Sequence, residues 1–142
     1  MMPRLGADGA PPALPIASLQ IGALSVALAG ALLLANAAAF TGYLGAPTVV
    51  GLNHLFPLLF VGLVFAGALQ QLPAVMFVTK LTWPSLGWAS LPLLLAGSVA
   101  VVGGFFRGFD PAWLVPGAAA VSLAWLALLV QLLVTASRRW PK

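Results

Sequence analysis

Few side chains in this sequence could do chemistry. His54 is the only histidine, Asp8 and Asp110 are the only acids, and cysteine is absent. A nucleophile–base–orienter set needs an acid beside the histidine, and both acids fall in polar stretches far along the chain from His54. A metal centre built from protein ligands needs several donors, which one imidazole cannot supply. Without cysteine there are no disulfides, iron–sulfur clusters or thiolate metal sites. Two uses remain open for a lone imidazole. It can be an axial ligand of haem iron, where the porphyrin fills the equatorial positions, or an interfacial residue bonded to a carbonyl or a lipid headgroup. The remaining polar residues of the apolar stretches are Gln20, Asn36, Gln70, Gln71 and Gln131, with a few Ser and Thr. No Asp, Glu, Lys or Arg lies deep in those stretches, which argues against ion-coupled transport and proton relays.

The elements that must position these residues follow from composition. The 142-residue chain is 62% hydrophobic and 6% charged. Soluble domains carry roughly 25% charged residues, and a charged coat cannot be built from six Lys/Arg and two Asp. The net charge of +4 forms no basic stripe with interleaved aromatics, so nucleic acid is not an expected partner. The expected environment is a lipid bilayer. Between Asp8 and Lys80 no formally charged residue occurs, enough chain for two spans of roughly 20 residues each. Turn formers cluster at 41–48. The spans are predicted at 14–40, 53–78, 86–106 and 112–136. They are separated by that turn, by Thr82-Trp83-Pro84-Ser85 and by Arg107-Gly108-Phe109-Asp110-Pro111. Residues 1–13 form an N-terminal segment and 137–142 a basic tail. The expected fold is all-α, an integral membrane four-helix bundle.

A cleaved leader is the alternative for the first segment, with Arg4 ahead of it and Ala35-Asn36-Ala37 as a small-residue site. Asp8 and the early prolines Pro3, Pro11, Pro12 and Pro15 interrupt such a leader, and its apolar run exceeds the usual length. The segment is read as a span.

Positive residues favour the cytoplasmic side. With the N-terminus inside, Arg4, Lys80, Arg138, Arg139 and Lys142 lie there, and only Arg107 lies outside, near Asp110. Both termini are then cytoplasmic and His54 lies near the outer face. Asn53 is expected to cap the second span, with Pro57 in its first turn, where a missing N–H costs little. Trp83, Trp88, Trp113 and Trp140 fall near span ends, as an interfacial belt would require, whereas Trp125 falls in mid-span. Small residues let helices approach closely in lipid. Ala23, Ala27, Ala31 and Ala35 in the first span, and Ala96, Ala100 and Gly104 in the third, are the expected contact ridges. Gly62 and Gly67 thin the second span below His54, for helix packing or for a flat ligand. Gln70 and Gln71 lie about 25 Å from His54 at ~1.5 Å per residue, too far to reach a metal held there, and are expected to bond at the interface.

One segment carries a family resemblance. It opens Asn53-His54-Leu55-Phe56-Pro57, passes Gly62 and closes Gly67-Ala68-Leu69-Gln70-Gln71-Leu72-Pro73. It resembles the second transmembrane helix of subunit-I-like proteins of the haem-copper oxidase and nitric oxide reductase superfamily. In those proteins a His opens the helix, a Gly follows, and a small-residue stretch leads to Gln and Pro. The resemblance covers about 20 residues, and the other spans match only as generic apolar helices. It implies that His54 is an axial ligand of haem b iron. Gly62 would leave room for the porphyrin, and Phe60 and Phe65, which flank the glycines of this span, would line either a porphyrin edge or the lipid. The further histidines of a catalytic subunit are missing, so the chain is not expected to be an enzyme by itself. Its size resembles the small third subunit beside some bacterial nitric oxide reductases. The resemblance therefore implies a non-catalytic accessory subunit in the bacterial inner membrane, beside a larger respiratory catalytic subunit. The alternative is a membrane b-type haem protein in which His54 from two copies of a homo-oligomer holds one haem.

Overall fold

The computed structural model describes residues 13–76 and 80–138, and the chain there is helical without strands. The helices are α1 (Ala13–Ala35), α2 (Pro47–Leu55), α3 (Gly62–Met76), α4 (Pro84–Phe106) and α5 (Pro111–Ser137). A π-helical segment, Phe56–Val61, joins α2 to α3, so these two helices make one continuous span. Four helical stretches are thus long and apolar enough to cross a membrane. The protein is an all-α, multi-pass membrane bundle. Arg139, Trp140 and Lys142, assigned above to the basic tail, and Arg4 lie outside the described residues.

Prolines start three of these helices. Pro47, Pro84 and Pro111 each occupy a first-turn position, where the absent N–H would have been unpaired anyway. The second span therefore begins six residues earlier than Asn53. Asn53 is an exposed residue within α2 rather than its cap. Pro57 likewise lies in mid-span. Its ring removes one donor from the ladder and crowds the preceding turn. The ladder widens in response, and the Gly62 N–H reaches back to the Pro57 carbonyl. A short 3₁₀ turn, Ala37–Thr41, follows α1.

Contacts define the two ends of the bundle. At one end Gly51 lies against Phe105 and Phe106, and Gly104 against Leu114. At the other, Leu14, Gln70 and Gly87 meet, and Thr82 meets Thr135. Neighbouring spans are therefore antiparallel. These are called below the His54 end and the terminal end.

The backbones of α4 and α5 approach closely. A Cβ on Gly97 would lie 2.9 Å from the Ala120 Cβ, and one on Gly117 would lie 2.8 Å from the Val101 nitrogen. Both glycines are required by backbone proximity. A similar approach joins α1 to the second span. A Cβ on Gly22 would meet Val64 at 2.9 Å, and one on Gly67 would meet Ser18 at 2.7 Å. This corrects the expected ridge on the first span: Ala23, Ala27, Ala31 and Ala35 are all exposed. The buried face of α1 is instead Leu14, Ser18, Gly22, Ser25 and Ala29. The four-residue spacing was right, but alanine was so abundant that the stripe chosen was the lipid-facing one. On the third span Gly104 is buried while Ala96 is exposed. Two apolar clusters fill the interior, one around Leu63, Leu94 and Leu128 and one around Leu52, Leu55, Leu59 and Val102.

Candidate functional site

His54 sits near the C-terminal end of α2, half-buried. Its Nδ1 is 2.8 Å from the Val50 carbonyl oxygen, one turn back. A carbonyl only accepts, so Nδ1 is the donor, and in that tautomer the ring's lone pair lies on Nε2. Phe105 of α4 packs on the imidazole at 4.6 Å between centroids, and Phe109 meets Phe105 edge-on at 5.7 Å. A ring held in this way presents Nε2, the nitrogen that a metal takes when a backbone carbonyl fixes the other.

The rest of the expected haem pocket does not assemble within one chain. Phe65 is exposed and lies against Trp125 of α5, 6.2 Å between centroids. A Cβ on Gly62 would approach only the Pro57 oxygen of its own span, at 3.5 Å. The widened turn at Phe56–Val61 breaks the 3.6-residue period that would align His54 with residues 62–65. A cavity of about 450 Å³ opens between the first three spans, lined by Leu32, Asn36, Leu55, Leu59, Val102 and Phe106 among others, and His54 is not part of its wall. The residues named for a porphyrin therefore do not fit one inside a single chain. Among the described residues no cluster of three or more His, Cys, Asp or Glu exists.

Most other polar groups at this end are satisfied locally, while the Ser98 hydroxyl donates across to the Leu58 carbonyl of the second span at 3.4 Å. Asp110 caps α5, its Oδ1 accepting from the Ala112 N–H at 3.0 Å. Arg107 lies 3.8 Å from Asp110 and over the Trp113 ring at 5.1 Å. The Asn36 amide donates to the Leu32 carbonyl at 2.8 Å.

The terminal end holds what the sequence reading passed over. Gln70 was expected at the interface, yet it is 2% exposed and neither of its amide atoms has a hydrogen-bond partner among the described residues. The interfacial expectation fails for Gln70 because α3 turns it inward against Gly87. Gln71, one residue on, is half-buried. Gln131 is fully buried; its Nε2 donates to the Trp83 carbonyl at 2.9 Å, while its Oε1 has no partner. Thr135 accepts from the Thr82 N–H at 3.1 Å and donates to the Gln131 carbonyl at 2.7 Å. These bonds hold Trp83 in a left-handed conformation, φ 51°, that non-glycine residues rarely adopt. An unpaired buried amide costs roughly 1–3 kcal/mol per group, and hydrocarbon offers nothing to pair with. The only sequence signal for this cluster was two amides, Gln70 and Gln131, in apolar runs.

Fold and site together define a multi-pass helical membrane protein with a buried amide cluster and, among the described residues, no hydrogen-bond partner for Nε2 of its imidazole. The chain matches no known family model, no curated protein and no solved structure.

Proposed function

We propose that this chain is an accessory membrane subunit, without chemistry of its own, that stands beside a larger respiratory catalytic subunit of the haem-copper oxidase or nitric oxide reductase type. The observation that carries the reading is His54. It lies on the segment that resembles the second helix of those proteins. Its Nδ1 is fixed by the Val50 carbonyl, and Nε2 is left for a group outside the chain. The burial of the spans supports an interface. Only 17% of the apolar window of the first span and 22% of that of the fourth are buried within the chain, leaving broad helix faces for lipid or a neighbouring subunit. In this reading the membrane is a bacterial inner membrane. Arg138 and Lys80 lie at the terminal end, which the charge bias makes cytoplasmic.

A second reading rests on the same nitrogen. In a homo-oligomer, Nε2 of His54 from two copies would hold one haem b between them, the pocket being completed by the second copy. One preparation tests both. The tagged chain is drawn from native membranes in mild detergent and its visible spectrum is recorded. Recovery with a larger haem-bearing polypeptide supports the accessory role. A Soret band in the isolated chain that His54→Ala removes supports the second reading. A chain that is always alone and colourless refutes both.

A further inference from the structure

The glutamines of the terminal end converge on the head of α4. The Gln70 amide occupies the space beside Gly87, where an added Cβ would lie 2.7 Å from its Oε1. Gln131 holds Trp83, four residues earlier and so one helical turn away. Ser90, 2% exposed, spends its hydroxyl hydrogen on the Gly87 carbonyl at 2.9 Å and keeps its lone pairs. Among the described residues, the buried side-chain polar atoms without partners are thus Oε1 and Nε2 of Gln70 and Oε1 of Gln131: two acceptors and one donor group, all inside the bundle.

The balance of donors and acceptors selects the guest. A cation would face the Gln70 N–H₂ with no carboxylate to offset its charge. An anion would face two amide oxygens. An apolar guest satisfies nothing. Water donates and accepts, and buried waters usually make about three hydrogen bonds to groups otherwise left unpaired. We propose that Gln70 and Gln131 form an internal water-binding site at the head of α4. Water donates to Oε1 of both glutamines and accepts from Nε2 of Gln70, bridging the second and fourth spans beside the head of α4. Gly87 is glycine because any side chain there would displace the Gln70 amide. The site is independent of His54 and of any respiratory partner.

The sign of one substitution tests this. If the amide atoms are unpaired, the apolar, similar-sized Gln70→Leu removes a cost and the protein becomes more stable. If they are water-bridged, Gln70→Leu strips Gln131 of its partner, and the folded-to-unfolded ratio falls about five- to tenfold. Gln131→Leu should lower it too, and the double variant should lose less than the sum of the two because they share the bridge. Should a variant fail to fold, wild-type protein with ¹⁵N-glutamine in a lipid nanodisc gives a separate readout. The Gln70 Nε2 protons should show a dipolar cross-peak to long-lived water. Gln70→Leu as stable as wild type or more so, or a cross-peak to Gln131 with none to water, would overturn the proposal.

Discussion

The two ends of the bundle are closed in opposite ways. At the His54 end, polar groups are satisfied by near neighbours in sequence: His54 by Val50, Asn36 by Leu32, Asp110 by Ala112, and Arg107 by Asp110 and Trp113. One hydrogen bond there crosses between spans, from the Ser98 hydroxyl to the Leu58 carbonyl, and at 3.4 Å it is long. At the terminal end the bonds join residues about fifty positions apart, Thr82 to Thr135 and Trp83 to Gln131. Local bonds leave helices free to choose their neighbours. Cross-span bonds fix which helix sits beside which, because in lipid no hydrophobic drive does so. The terminal end therefore sets the register of the bundle. The His54 end contributes less to it, through a single long cross-span bond.

That contrast is open to attack from the terminal end first, where the effects should be largest. Gln131→Ala removes the clamp on Trp83 and leaves a hole in a fully buried position. The expected loss is about 2–4 kcal/mol, measured by unfolding in detergent. A matched glycine pair comes next. Gly87→Ala forces Leu14 and Gln70 aside from contacts of 2.7 Å, whereas Gly51→Ala meets Phe106 at 3.3 Å. The first should cost about 1–3 kcal/mol. The second should be near neutral, since alanine gains up to ~1 kcal/mol of helix propensity. Equal costs would break the distinction between the ends. Thr135→Val keeps the shape and removes the hydroxyl that receives the Thr82 N–H. Interhelical bonds in membranes are worth ~0.6–2 kcal/mol, so a loss of about 1 kcal/mol is expected, with the Thr82–Trp83 turn becoming more open to proteolysis.

The spans were legible because apolar length and proline punctuation are properties of the chain alone, and Pro84 and Pro111 start their helices close to where the sequence placed them. The start at Pro47 was missed because Asn53 looked like a cap while Pro47 looked like part of a turn. The packing faces were not legible. Ala27 and Ala29 are equally small, and only the neighbouring helix makes one buried and the other lipid-facing. Of the candidate site, the sequence shows His54 as a lone imidazole donor, but it does not show the π-helical turn at Phe56–Val61, which a regular 3.6-residue period cannot foresee. Gln70 was placed at the interface by counting along the helix, which gives depth and says nothing of direction.

The smallest stability effect is expected at His54, and it separates fold from function most cleanly. The imidazole is half-buried, its one hydrogen bond is to its own helix, and its aromatic contact is with Phe105 alone. His54→Ala frees a carbonyl that the helix ladder already uses, and alanine is the better helix former. The expected change is under about 1 kcal/mol, with an unfolding profile close to that of the wild type. If Nε2 serves a group outside the chain, the same variant loses its co-purifying subunit, or its haem absorption, while remaining as abundant in the membrane. His54→Gln refines the reading, since its amide can still hydrogen-bond but is a poor ligand to haem iron. A hydrogen-bonded subunit interface would be partly restored by it, whereas metal ligation would not. A His54→Ala chain that unfolds as readily as Gln131→Ala would mean that the His54 end, too, holds the bundle together, and the division of labour between the two ends would fail.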